Sequence, residues 1–580
     1  VDFGNGYVVT NAHTFNGTVP GPEFRFKVDD RVIVHLTNNL EIPTSIHWHG
    51  VELTNSSDGT GLTQDQVAPN GGTFDYEFIV PRAGVFFYHS HIMPTNPGFK
   101  GYFGPIFVAD PADQKLVAKG VLPNEGNTKT MILGDVTVCK EPGSNDTATF
   151  PADTALVPTV PWAGGSPFPG KLAQPTPATL CDTPLDDHGN VAGAPLPAGS
   201  IPNIQPKPDC GAAPICPTNE GQLVLRNGRV TDGRAGSPEA PGALAAGART
   251  INVKAGEGVR LHLASGSALR YFRLKLTDQD GDQVTLFRVG GEGGLLDNVR
   301  VEGGTQGTLD TKYDHGEILL AVSNRADVVF IVPEGNKGDV FTLWTLDYQR
   351  TGGGQGNAGF SALPTVPVAH FEIVGNASKN ARFLIEEGDP LRTHPAVAIP
   401  VENIKDDPPT PLLDPATFTV PELGSANETI ELTAAGKPGI ELSTEGVLVG
   451  FDEGVPIGFE NIPHIGSSRY AVVGDLLELT IKNTTAAHHP WHPHGFSMQP
   501  VRFLENAGNT SVYEFGYQEF VDTIDVPAGH SLVYRVRLDD RPLNFSTPTG
   551  GAVGRWAMHC HILFHAGLGM ITELVVLPAP

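Results

Sequence analysis

Basic residues are scarce in this chain of 580 residues: 38 Lys and Arg stand against 64 Asp and Glu, for a formal net charge of −26 at pH 7. Phosphate binding needs a basic surface, so nucleic acid is excluded as a partner. Long apolar runs are absent too, and none approaches the roughly 20 residues of a membrane-spanning helix. Methionine, tryptophan and cysteine number five each. Four of the cysteines, Cys139, Cys181, Cys210 and Cys216, lie in or beside a stretch from about 141 to 221 that is rich in Pro, Gly, Ala and Asp. They allow up to two disulfides, in no pairing the sequence specifies, across an irregular insertion. Such bonds imply an oxidising compartment, so the expectation is a secreted or periplasmic protein, and a start at Val1 is compatible with a removed export signal. Eight Asn-x-Ser/Thr sequons, at Asn16, Asn55, Asn145, Asn376, Asn427, Asn483, Asn509 and Asn544, would accept glycans in a eukaryotic secretory host. The sequence sets no oligomeric state and is compatible with a monomer.

Glycine and proline are plentiful, at 69 and 50 residues. Together they far exceed their usual share of about 12%, which favours many short strands joined by turns. Alternating stretches such as Thr73 to Val80 and His530 to Arg537 read as half-buried strands of a sandwich. The fold class expected is therefore all-β.

Near the C-terminus stands the run Met558-His559-Cys560-His561-Ile562-Leu563-Phe564-His565-Ala566-Gly567-Leu568-Gly569-Met570. In an extended strand Cys560 faces one way while His559 and His561 face the other, so one short covalent path joins two sites. Two imidazoles, a thiolate and a weak thioether make a blue-copper electron-transfer centre, and Cys560, His565 and Met570 supply three of these. A structural zinc site or a buried free cysteine is the alternative for Cys560 alone. The wider histidine pattern favours copper. Twenty histidines would by chance give fewer than about one His-x-His pair. Four occur, at His47/His49, His89/His91, His492/His494 and His559/His561.

An internal repeat explains their placement. Asp30 to Asn38, Glu257 to Ser265 and Asp475 to Asn483 are similar alternating strands. The same step beyond Leu36 and beyond Ile481 lands on His47 and His492, and two residues later on His49 and His494. From Leu263 the step reaches Leu274 and Leu276, so the middle copy has no metal ligands there. His89-Ser90-His91 likewise lies over His559-Cys560-His561, with Ser90, Thr95 and Lys100 standing where Cys560, His565 and Met570 stand. Three residues before His492 is His489, the missing imidazole, whereas Thr44 precedes His47. His489, Cys560, His565 and Met570 thus form one mononuclear site. The remaining eight histidines, four from each outer copy, imply a cluster of several coppers between them with open positions for a small molecule such as dioxygen.

In these segments the chain resembles a three-domain multicopper oxidase of the laccase type, with the methionine at the blue copper that many bacterial members carry. The motifs are His47-Trp48-His49-Gly50, Tyr88-His89-Ser90-His91, His489-Pro490-Trp491-His492-Pro493-His494-Gly495 and the C-terminal run. The resemblance implies three consecutive cupredoxin-like Greek-key β-sandwich domains and four copper ions. It implies His489, Cys560 and His565 at the type 1 copper with Met570 axial, and His47 and His492 at the type 2 copper. His49, His89, His91, His494, His559 and His561 would then hold the type 3 pair. His565 is implied as the electron entry point. Where many bacterial relatives carry a proton-relaying glutamate this chain has Ala566, and Asp58 matches the family's other relay acid. Its residue type alone also fits an ordinary Asp-Gly turn.

The expected domains span 1–125, 126–380 with the insertion at about 141–221, and 381–580. Asp110-Pro111-Ala112-Asp113 closes the first, Met131 to Asp135 opens the second, and Asp406 to Pro415 reads as a proline-dense linker. The function implied is one-electron oxidation of phenols or aromatic amines coupled to reduction of dioxygen to water. Oxidation of ferrous, manganous or cuprous ions is the alternative, though no methionine-rich segment is present for cuprous copper. A copper-binding or dioxygen-carrying protein leaves the thiolate between the two sites without a purpose, and nitrite reduction lacks the flanked cysteine.

Overall fold

A computed structural model describes residues 1–4, 12–91, 101–136, 138–139, 179–180, 223–268, 270–348, 350, 365–377, 382–413, 439–442, 468–485, 487–562, 566 and 570–579. His565, most of the insertion, and Cys181, Cys210 and Cys216 lie outside the described residues, as does the side chain of Cys139. Almost all regular structure is β, and among the described residues the one α-helix is Pro111–Ala118. Asp110 caps the helix, its carboxylate accepting from the Ala112 amide at 2.8 Å, with proline at the first turn where no donor is missed.

The sheets recur along the chain. Phe24–Lys27, Phe103–Ala109 and Gly84–His89 form one, and Arg31–Asn38 pairs with Gly72–Ile79 beside it. A seven-stranded and a six-stranded sheet follow between Thr128 and Asn376, and two five-stranded sheets come after them. In each group an early strand pairs in parallel with a late one: Phe24–Lys27 with Phe103–Ala109, Ile251–Ala255 with Val366–Asn376, and Arg469–Val472 with Ile571–Leu577. Each group also has its own apolar core. Trp48, Tyr76 and Phe86 belong to the first, Leu261, Phe272 and Phe330 to the second, and Leu479, Trp491 and Trp556 to the third. Leu274 and Leu276, which replace histidines in the middle copy, are fully buried in that second core.

The alternating strands differ in how they are covered. Arg31–Asn38 exposes every other residue, as the period-2 pattern predicts. Gly258–Ser265 is buried throughout although its pattern is similar. It lies between Thr128–Val136 and Arg325–Ile331. Its polar face is covered as well, for Phe107 stacks on His262 at 4.3 Å and Asp113 pairs with Arg260 at 3.1 Å. One sequon is closed to glycans: Asn483 is fully buried, and its amide donates to the carbonyls of Ala487, Val526 and Pro527. No helix among the described residues is long and apolar enough to cross a membrane.

Candidate metal centre

The histidine pairs sit at strand ends, where the backbone is still extended but no longer fully laddered. His47 and His89 bridge each other, with reciprocal amide to carbonyl bonds of 2.8 and 3.1 Å. His489–Pro493 pairs with Gly554–Cys560 in a register that sets His492 opposite His559 and Trp491 opposite Cys560. Tight turns follow two of the pairs, at Gly50 with φ +83° and Gly495 with φ +72°. Added side chains would also collide there. A Cβ on Gly50 would lie 2.3 Å from the Asp522 carboxylate, and one on Gly495 2.3 Å from the Trp556 ring.

All eight paired histidines meet in one buried space. Candidate ligand atoms of His49, His89 and His561 lie within 4.8 Å of one another, as do those of His91, His494 and His559, and of His47, His49 and His492. Their outward nitrogens are fixed by acceptors. The Nδ1–H groups of His47, His492, His89 and His559 donate to the carbonyls of Asp58, Asp522, Ser90 and Cys560 at 2.7, 2.7, 2.8 and 2.9 Å. His494 Nδ1 donates to the Asp58 carboxylate at 2.9 Å and His49 Nε2 to the Asp522 carboxylate at 2.9 Å. Each proton assigned outward leaves a lone pair pointing inward.

Those inward nitrogens fit a cation. Nε2 of His47, His89, His492 and His561 and Nδ1 of His49 are buried with no hydrogen-bond partner, an arrangement that is costly unless something ligates them. Nε2 of His494 and His559 lie 3.0 Å apart. With both Nδ1 protons committed outward, two lone pairs face each other, and a metal ion between the ligands relieves the repulsion. Burial, the largest cause, pulls the pKa of His89 down to about 3 and that of His559 to about 4, and it holds His49, His91, His492, His494 and His561 well below the ordinary value. Neutral imidazole is the form that binds metal. A fixed outer partner on a ligating histidine sets both its tautomer and its basicity.

Asp58 is brought to the cluster, as its place in the sequence implied. Asp522, Thr523, Ser323 and Arg325 were not foreseen. Thr523 Oγ lies 3.1 Å from His49 Nε2, and Ser323 Oγ meets His561 Nδ1. Arg325, buried, pairs bidentately with Asp522 and donates to Val85 O at 2.9 Å. The available signal for the middle group was Ser323-Asn324-Arg325, a polar triplet that leads from the apolar strand Ile318–Leu320 into the start of Arg325–Ile331.

Cys560 points away from this space, into the third core together with Met570. His489 Nδ1 faces its sulfur at 3.4 Å, and the Cys560 amide donates to Met570 O at 3.0 Å. Burial pushes the Cys560 thiol up, so the thiolate needs a metal to form there. In the first group Thr44 Oγ and Ser90 Oγ, the residues aligned with His489 and Cys560, lie 3.2 Å apart. The same two positions therefore meet in both copies, and only one copy sets an imidazole against a thiol there.

A β protein with a dense imidazole cluster joined by one cysteine to a second histidine belongs to the class of copper-dependent electron-transfer enzymes. Family models described as multicopper oxidase match residues 4–113 and 465–580. The multicopper oxidase MmcO of Mycobacterium tuberculosis is 25% identical over 99% of this chain and 84% of its own. Laccase-2 of Botryotinia fuckeliana is 44% identical over 19% of each chain. In fold the chain is similar to the McoA multicopper oxidase of Aquifex aeolicus, at a TM-score of 0.60 and 18% identity over 96% of this chain and 89% of that one. The chain belongs to the multicopper oxidase family, an oxidoreductase family that uses dioxygen as acceptor and binds four copper ions.

Proposed function

We propose that this protein is a laccase-like oxidase that takes single electrons from phenols or aromatic amines and returns them to dioxygen as water. In this reading His489, Cys560, His565 and Met570 would hold the type 1 copper, and His47 and His492 the type 2 copper. His49, His89 and His561 would hold one type 3 ion, and His91, His494 and His559 the other. When bound, copper supplies one-electron redox chemistry at the first site and dioxygen binding and reduction at the cluster. The chain's own residues do the rest. Cys560 carries the covalent path, since His559 and His561 flank it and reach the cluster. Carbonyls and the two aspartates hold the imidazoles neutral and aimed inward. Asp58 is the proton donor of the cluster.

The observation that carries the reading is the set of inward lone pairs, ordered in groups of three and tied through Cys560 to His489. A cavity of about 170 Å³ beside His488 offers ring faces to an aromatic reductant at Tyr313, Tyr348, Phe515 and Tyr517, and its carboxylates Glu302, Asp310 and Asp525 equally suit a metal ion. We read three domains, at 1–125, 126–380 and 381–580, and a secreted or periplasmic location. Oxygen uptake measured separately with a phenol and with ferrous, cuprous and manganous salts tests the substrate class. Turnover confined to the metal salts rejects the phenol reading. Cys560→Ser is expected to remove the blue absorption and all turnover, and activity that survives it refutes the assignment.

A further inference from the structure

The loop that delivers His489 is built around two residues. Asn483, at the end of strand Leu476–Asn483, sends its amide to three carbonyls. Its side-chain oxygen accepts from the Thr485 amide at 3.0 Å and the Thr485 hydroxyl at 2.8 Å. The Thr485 hydroxyl in turn lies 2.8 Å from His489 Nε2, the nitrogen opposite the one that faces Cys560 Sγ.

The first group holds a control for this arrangement. Asn38, the counterpart of Asn483, donates to Ile42 O and Val67 O at 2.8 and 3.0 Å and accepts from the Leu40 amide at 3.0 Å. The scaffold is thus the same, but Leu40 stands where Thr485 stands and Thr44 where His489 stands. The hydroxyl is present only in the copy that has an imidazole to receive.

We propose that Thr485 is the positioning residue of the type 1 site, accepting the Nε2–H of His489 so that the Nδ1 lone pair is held toward Cys560. This rests on the type 1 assignment above. An acceptor on the outer N–H raises the basicity of the imidazole, and a more basic ligand favours the oxidised metal. Removing the acceptor is therefore expected to raise the reduction potential. The buried Asn483 also accounts for the Asn-Thr-Thr sequon: these side chains serve the loop and leave none for a glycan.

The test uses copper-loaded protein with the blue absorption retained, which separates it from failure of the type 1 assignment itself. Thr485→Val keeps shape and removes the hydroxyl. Its midpoint potential should rise, by up to a tenfold change in the oxidised to reduced ratio, about 59 mV for one electron, with altered type 1 absorption and hyperfine splitting. Thr485→Ser should restore the original values. Should the valine protein not fold, Thr485→Ala against Thr485→Ser makes the same comparison. An unchanged or lowered potential in the hydroxyl-free variant, or an equal shift in the serine variant, overturns the proposal.

Discussion

Two aspartates hold the histidine cluster by the same pair of contacts. Asp58 offers its carbonyl to His47 and its carboxylate to His494. Asp522 offers its carbonyl to His492 and its carboxylate to His49. Each thus binds the first histidine of the nearby pair and the second of the distant one. Their surroundings differ, because Arg325 clamps Asp522 bidentately. No such ion pair with an arginine or lysine holds Asp58 among the described residues, and its carboxylate faces His47 and His494 instead. Asp58→Asn keeps an acceptor for His494 but cannot carry a relayed proton. Reoxidation of the reduced protein by dioxygen should slow by roughly 10²-fold or more, with the blue absorption and copper content kept. Reoxidation at the original rate in stopped-flow rejects the relay role.

At the level of elements, what was legible followed strictly local rules. Period-2 alternation marked Arg31–Asn38, and His-x-His spacing marked the histidines that converge from strand ends, because both patterns survive in a short window of sequence. Asp522 could not be found that way. It lies 30 residues after His492 while Asp58 lies 11 after His47, so no constant repeat step pairs them and only the folded chain does. Ser323 was hidden for a similar reason, since the middle copy has leucines at the ligand positions and its contribution comes from another edge. The helix Pro111–Ala118 was not foreseen, although an aspartate before a proline is a helix-start signal. The glycine after two of the motifs was visible but its cause was not. Gly495 carries a positive φ and the Trp556 ring packs against it. Gly495→Ala should therefore strain both the turn and the strand Gly554–Cys560 that bears His559 and Cys560. A loss of about 1–3 kcal/mol is expected, with fewer coppers bound per chain. Denaturant melts and metal analysis check both, and a variant equal to the parent in both contradicts the packing argument.

At the scale of the whole molecule, the middle group carries none of the proposed ligands and still joins the outer two at the cluster. Arg325 begins its strand Arg325–Ile331. The guanidinium reaches Val85 O in the first group and Asp522 in the third, and lies 3.3 Å from Glu292. Glu292 accepts the amides of Asp522 and Thr523 at 2.9 and 3.0 Å, so it fixes the segment whose side chains meet His49. All three side chains are buried, at most 3% exposed. Burial pushes the Glu292 carboxyl up to about 7, so Asp522 is the main partner of the guanidinium, and removing one partner of such a buried group costs about 3–5 kcal/mol. Arg325→Leu keeps apolar volume and removes the charge. Its melting temperature should fall, and type 2 and type 3 copper should be lost before type 1, because His49 loses its fixed acceptor while Cys560 and His489 keep theirs. Copper content together with the blue absorption reads this order. A variant that melts lower yet retains all four coppers assigns Arg325 to the stability of the junction alone and removes the middle group from the working of the cluster.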